Sequence, residues 1–189
     1  MNFTEIVNEI LGRTKRPDKL SSIRREVNSA VLFFSLDMDA TRDVTEALYS
    51  VVATEYSQAL PLTTWPRFRK FQYMKYPNTR NYIVEINAKK LYTEECKTAD
   101  RYYVAGDNVN INLSTLTSQL DIGYYSYPPI LTDASPNYWL LDRAWNVVFD
   151  RACAKVYAEI DDDKASRMHE MYARDAWASQ RNDLAAGSR

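Results

Sequence analysis

One stretch leaves this chain few folds to choose from. Ile122 to Tyr127 reads as a strand, and Pro128-Pro129 stops it, because proline cannot donate to a sheet ladder. A loop follows from Ile130 to Asn137. From Tyr138 to Ile160 apolar residues then come almost all round a helix: Trp139, Leu140, Leu141, Ala144, Trp145, Val147, Val148, Phe149, Ala152, Cys153 and Val156. A helix apolar on so many sides must be covered on several sides. Asp161-Asp162-Asp163 breaks it, and a more polar helix runs from about Lys164 to Leu184. That last helix offers Met168, Met171, Tyr172 and Trp177 on a partly apolar face, which covers one side of the long helix.

The start of the chain supplies the other cover. Phe3, Ile6, Val7, Ile10 and Leu11 fall at helical spacing and make one apolar stripe. Asn2 or Thr4 can cap that helix, and Gly12 is placed to end it. Pro17 cannot continue a helix and restricts Arg16, so Thr14 to Asp18 is a turn. A second helix, about Lys19 to Leu36, carries Ile23, Val27, Ala30, Val31 and Phe34 inward. The short turn makes the two helices antiparallel neighbours. Lys15, Arg16, Lys19, Arg24 and Arg25 form a basic cluster there. It could touch DNA or an acidic partner, but a charge run of this kind more often faces water.

Between the two helical ends the period changes. Val44 to Thr54 carries apolar residues in both registers, which predicts a strand buried on much of both faces. Leu60 to Pro66 reads as an irregular connector because of its two prolines. Arg67 to Tyr76, Asn81 to Asn87, Arg101 to Ala105, Val109 to Leu113 and Leu120 to Tyr127 read as short strands, and Gly106-Asp107-Asn108 as a hairpin turn. Ala88 to Tyr92 reads as a single helical turn. The expected fold class is therefore α+β. A helical layer of about four helices is built from both chain ends, and a small antiparallel β-domain, barrel or sandwich, is inserted between them. The expected segments are 1–42, 43–127 and 128–189.

Reaction chemistry is not visible. His169 is the only histidine, and its neighbours Met168 and Glu170 place it on an exposed helix without the orienting partner that a catalytic base needs. Two cysteines, Cys96 and Cys153, with one histidine do not make a structural zinc site. Cys153 reads as a buried thiol, and the low cysteine use suits a reducing compartment. Four glycines at scattered positions match no phosphate-binding loop. Asp161-Asp162-Asp163 could hold a hard cation, yet it lacks calcium-loop spacing and sits where a helix starts, so capping is the better reading. No cofactor, no metal and no catalytic residue is expected. The opening residues lack a basic start and an apolar run, and no apolar window is long enough for a membrane span.

Three groups of residues carry a resemblance. They are Tyr124 to Asp133 with Tyr138-Trp139-Leu140-Leu141 and Ala152 to Asp163; Trp65-Pro66-Arg67-Phe68-Arg69-Lys70-Phe71; and Tyr102-Tyr103-Val104-Ala105-Gly106. With the Thr14-Lys15-Arg16-Pro17-Asp18 turn, the chain resembles the adaptor (head-to-tail connector, or tail accessory) proteins of short-tailed bacteriophages. The shared motifs are structural, not catalytic. The resemblance implies a non-enzymatic virion protein in the neck or tail, made in the host cytoplasm. It implies a ring, typically of twelve copies, under the portal protein. Such a ring contacts tail nozzle or fibre proteins and lines a channel through which DNA passes without sequence-specific binding.

Composition agrees in two respects. The net charge is −1, which suits a channel that passes DNA without gripping it. The 14 Tyr and 4 Trp suit surfaces that are wet in one state and packed in another. The small polar tail, Ala185 to Arg189, is expected to order only against a partner. Lys164, Arg167, Met171, Arg174, Trp177, Arg181 and Arg189 are the expected partner-binding residues. The alternative is an accessory module, without a ring, that binds protein on an aromatic β-surface.

Overall fold

A computed structural model describes residues 1–86 and 99–185. The readings made for Asn87, Ala88 to Tyr92, Cys96 and Ala186 to Arg189 lie outside the described residues. The fold is α+β, with four α-helices and two sheets among the described residues. It divides into two compact units: Met1–Asp43 with the chain from Tyr127 onward, and Val44–Ser126.

The first unit holds the helices. Helix α1 spans Phe3–Thr14. Asn2 is its N-cap: its side chain accepts from the Glu5 N–H at 2.9 Å, and the Glu5 carboxylate accepts from the Asn2 N–H at 2.9 Å. The helix runs two residues past Gly12, where it was expected to stop. Lys15 takes the left-handed position instead, at φ 51°, and its N–H reaches the Leu11 carbonyl. A single 3-10 turn at Pro17–Lys19 leads into α2, Leu20–Leu36. Helix α3 spans Trp139–Glu159 and is kinked at Ala144, where φ is −137°. Trp145, directly after the kink, is 38% exposed and not inside as its apolar character predicts. Helix α4 spans Asp163–Ala185. Asp162 caps it: its Oδ1 accepts from the Ala165 N–H at 3.0 Å, while Asp161 turns the chain at φ 59°. The acidic triplet thus serves the helix start.

The stripes foreseen on α1 and α2 meet α3 in one core. Phe3, Ile6, Ile10, Ile23, Leu140, Leu141 and Val148 are fully or almost fully buried in it. Burial of side chains this size contributes about 1.5–3 kcal/mol each. Among the described residues no helix is long and apolar enough to cross a membrane.

The second unit holds the strands. They are β1 (Val44–Ser50), β2 (Ser57–Pro61), β3 (Phe68–Lys75), β4 (Val84–Glu85), β5 (Arg101–Ala105), β6 (Asn108–Asn112) and β7 (Gln119–Ser126). One sheet has the order β1-β7-β3 and the other β2-β6-β5-β4. Among the described residues the sheets share no ladder, only the bridge between Lys75 and Tyr82 just before β4, and their inner faces meet in one aromatic-rich core, as in a sandwich. The Trp65 ring lies at its centre, 5.2 Å from Phe71 and 5.3 Å from Tyr49.

Three expectations change here. First, β1 is shorter than predicted and none of its residues is deeply buried, because it is an edge strand with one neighbour. The buried Gln58 side chain ends it: its Oε1 accepts from the Val52 N–H at 2.9 Å, and its Nε2 donates to the Val52 carbonyl at 2.9 Å. Second, Leu60 and Pro61 belong to a strand and not to a connector. Pro61 is tolerated because it ends β2, itself an edge. Third, the strand expected at 81–87 shrinks to Val84–Glu85, which runs parallel to β5, so the unit is not purely antiparallel. The hairpin turn between β5 and β6 is Gly106-Asp107, with Gly106 at φ 58°, where only glycine is unstrained.

Candidate functional site

Helix α4 has two different sides. Residues 169, 173 and 177 recur at four-residue spacing and face inward: His169, Ala173 and Trp177 are all buried. Residues 164, 167, 168, 171 and 174 share the outward side. Lys164, Arg167, Met168, Met171 and Arg174 are all exposed there, as is Tyr172 beside them, and Met171 keeps 53% of its surface. Cations interleaved with thioethers and a phenol make a surface that partners bind well, since Met and Tyr supply adaptable apolar area and Arg supplies several donors.

Trp177 departs from the expected set. It turns into the core, with its ring 4.7 Å from Phe34, and its Nε1 donates to Asp37 Oδ2 at 2.7 Å. Arg181 is exposed but engaged, donating to the same oxygen at 3.3 Å. Arg189 lies outside the described residues. The remaining four stand together on the outward side.

A groove flanks this side. Phe33, Phe34, Asp37, Arg151, Glu170 and Arg174 surround about 210 Å³ above Trp177. The Arg151 guanidinium lies 3.5 Å from the centre of the Phe33 ring and donates to Glu170 at 3.3 Å. Asp37, Arg151 and Glu170 had no signal in the sequence, because each meets its partner through the packing of three separate helices. Elsewhere in the unit Leu32, Leu36 and Ile130 are exposed, Ile130 by 81%.

The basic cluster is not an open patch. Arg16 pairs with Asp18, Lys19 with Glu159, Arg24 with Asp133, and Arg25 with Glu26 and Glu159. Four of the five cations thus have a local acid, which weakens the positive field that a phosphate backbone would follow.

His169 also differs from its expected exposed position. It is 6% exposed, its Nδ1 lies 2.8 Å from Asp150 Oδ1, and it stacks on Tyr157 at 5.4 Å and 6°. The two-sided setting of α4 explains this, since His169 falls on the inward row. Cys153 is one helical turn after Asp150 and fully buried; burial pushes its thiol up to about 12. The nucleophilic thiolate is therefore scarce at neutral pH. In a Cys96→Ser variant, Cys153 should resist a thiol-specific disulfide reagent at pH 8 until the protein is unfolded. Rapid labelling of the native protein would contradict the buried setting. Among the described residues no group of three or more His, Cys, Asp or Glu side chains could hold a metal ion.

The arrangement as a whole sets a cationic, thioether-rich helix side next to an aromatic groove. No family model matches the chain, and no curated protein matches it.

Proposed function

We propose that this chain is a structural virion protein, a head-to-tail adaptor of a short-tailed bacteriophage. In this reading it forms a ring beneath the portal, joins capsid to tail nozzle or fibre proteins, and lines the channel through which DNA leaves. Its place is the neck or tail of the particle. The observation that carries the reading is the outward side of α4, where Met168, Met171 and Tyr172 remain exposed among Lys164, Arg167 and Arg174. Exposed apolar side chains set together among cations suit a surface that a partner covers. A second exposed apolar area, with Leu32, Leu36 and Ile130, lies in the same unit. Two different surfaces on one protomer suit a ring, whose members each contact two neighbours head to tail.

The test is the mass of the purified chain in solution, alone and with the portal protein of its virion. A multi-copy ring on the portal is the expected product. Changing Arg167 and Met171 together to Glu should weaken attachment at least about tenfold, with the near-ultraviolet dichroism unchanged. Point changes are the right tool, because removing Lys164 onward would take away the buried inward row of α4 and uncover the core beneath it. A chain that stays monomeric with portal present would overturn the adaptor reading and leave the accessory binding module.

A further inference from the structure

The outward side of α4 is complementary to itself, a property the adaptor reading does not use. Lys164, Met168, Met171 and Asp175 follow one another at spacings of four, three and four residues. That spacing keeps them in one line along a helix, as in the seam of a coiled coil. All four are exposed, Met168 by 42% and Met171 by 53%. The inward row of His169, Ala173 and Trp177 lies on the other side of the helix and is buried. Packing within the chain therefore holds α4 without using the line.

The two charged ends of the line are unengaged. Among the described residues neither the Lys164 ammonium nor the Asp175 carboxylate makes an ion pair or a side-chain hydrogen bond. Lys164 also stands in the first turn of α4, where the helix dipole disfavours a cation. In order, the line reads cation, thioether, thioether, carboxylate, and its spacing is symmetric about the midpoint between residues 169 and 170. A second copy laid antiparallel on the first puts Lys164 of each against Asp175 of the other. The same register puts Met168 of each against Met171 of the other. A parallel copy would set Lys164 on Lys164 and Asp175 on Asp175, which repel.

We propose that the outward side of α4 pairs antiparallel with the same side of a second copy, in a two-fold dimer. The two thioether layers supply adaptable apolar contact, and the end pairs fix direction and register. One patch used twice closes at two copies. A wholly acidic partner would meet Asp175, and a wholly basic one Lys164. A surface with one charge of each sign at matching spacing suits both, and α4 is itself such a surface. The line is short, about 16 Å at the rise of an α-helix, so the dimer is weak, with a dissociation constant of about hundreds of micromolar. Arg167 and Arg174 lie on one flank, where two copies bring them towards each other, and this also keeps the pair weak. Pairing covers the surface that the adaptor reading gives to the portal, so the two contacts exclude each other. The pairing itself does not depend on that reading.

The test is sedimentation equilibrium of the full chain without portal, at low salt, from about 10 μM to about 2 mM. The mass should rise from one chain towards two and no further. Lys164→Glu alone and Asp175→Lys alone each create like-charge contacts at both ends, and each should weaken pairing at least about tenfold. Mixed in equal amounts, these two variants restore opposite charges at both ends. The mixture should pair within about threefold of the unsubstituted chain. Should a charge variant lose its helical signal at 222 nm, Met171→Ser, at an exposed central position, should weaken pairing at least about fivefold. A chain that stays single at 2 mM, or that forms assemblies larger than two, overturns the proposal. So do single charge variants that pair as well as the unsubstituted chain, a mixture that stays as weak as its components, or a folded Met171→Ser chain that pairs unchanged.

Discussion

Replacing Trp177 with alanine is expected to cost the helical unit about 3–5 kcal/mol, the usual range for removing a buried tryptophan. The side chain is 7% exposed and is the large apolar residue on the inward row of α4 beside His169 and Ala173. Its ring packs on Phe34 at 4.7 Å, and its Nε1 is bonded to Asp37 at 2.7 Å. Truncation removes the ring contact, leaves a cavity between α2 and α4, and frees an Asp37 oxygen that Arg181 alone then holds. Trp177→Phe keeps most of the apolar contact and loses the hydrogen bond, so its cost should be nearer about 1–2 kcal/mol. Urea unfolding followed by the helical signal at 222 nm measures both. A loss below about 1 kcal/mol for the alanine variant would mean that α4 is held by something other than this anchor.

The sequence offers Trp177 both as cover for the long helix, with Met168, Met171 and Tyr172, and as a partner contact; the structure keeps only Trp177 of these four as cover, and the reason lies in what a pattern can carry. On a mainly polar helix, Met168, Met171, Tyr172 and Trp177 look alike. Which of them turns inward depends on the angle at which α4 lies on α3. The outward row was legible, because residues 164, 167, 171 and 174 repeat at helical spacing whatever that angle is. His169 was misplaced for the same reason: its partner Asp150 belongs to another helix, 19 residues earlier.

The helices themselves were legible to within a residue or two. Their stripes are long, and Asn2 and Asp162 mark two starts by local chemistry that needs no tertiary context. The sheets were legible where strands alternate strictly around a short turn, as in β5 and β6. They were less so where pairing decides the outcome. The β1 segment is apolar in both registers, yet it became an exposed edge because, among the described residues, β7 alone pairs with it. The setting of Tyr73, its ring against Gly123 and its hydroxyl on Glu46, was invisible for a stronger reason. It needs a register shift in β3, a glycine opposite on β7 and a carboxylate two strands away on β1, and only the three-strand ladder brings these together.

Asp43→Ala should be the other costly change, at about 2–3 kcal/mol, because it takes the shared acceptor from two half-buried donors, of which the Tyr138 hydroxyl still has Ser35 3.3 Å away. Asp43 is 6% exposed and ends the N-terminal part of the helical unit. Its Oδ1 accepts from the Tyr138 hydroxyl at 2.6 Å and from Trp139 Nε1 at 2.6 Å. Tyr138 is the N-cap of α3 and makes no side-chain bond to the helix start, so its position depends on contacts such as this one. The interaction therefore joins the end of the first helical segment to the start of the long apolar helix, 95 residues later. Asp43→Asn retains the oxygen acceptor and should cost about half as much, whereas Tyr138→Phe removes a single donor and should cost about 1 kcal/mol. The pH dependence supplies an independent readout. Burial, and then the bond to Asp43, push the Tyr138 phenol up from its ordinary 10.0. In the unfolded chain the same phenol ionises near its ordinary value, so the unfolded state gains from rising pH before the folded state can. Stability from this group is whole below about pH 10 and declines above it. Tyr138→Phe should lessen that alkaline decline, and an alkaline limb identical to that of the unsubstituted protein would show that the phenol is not held as the Asp43 contact requires.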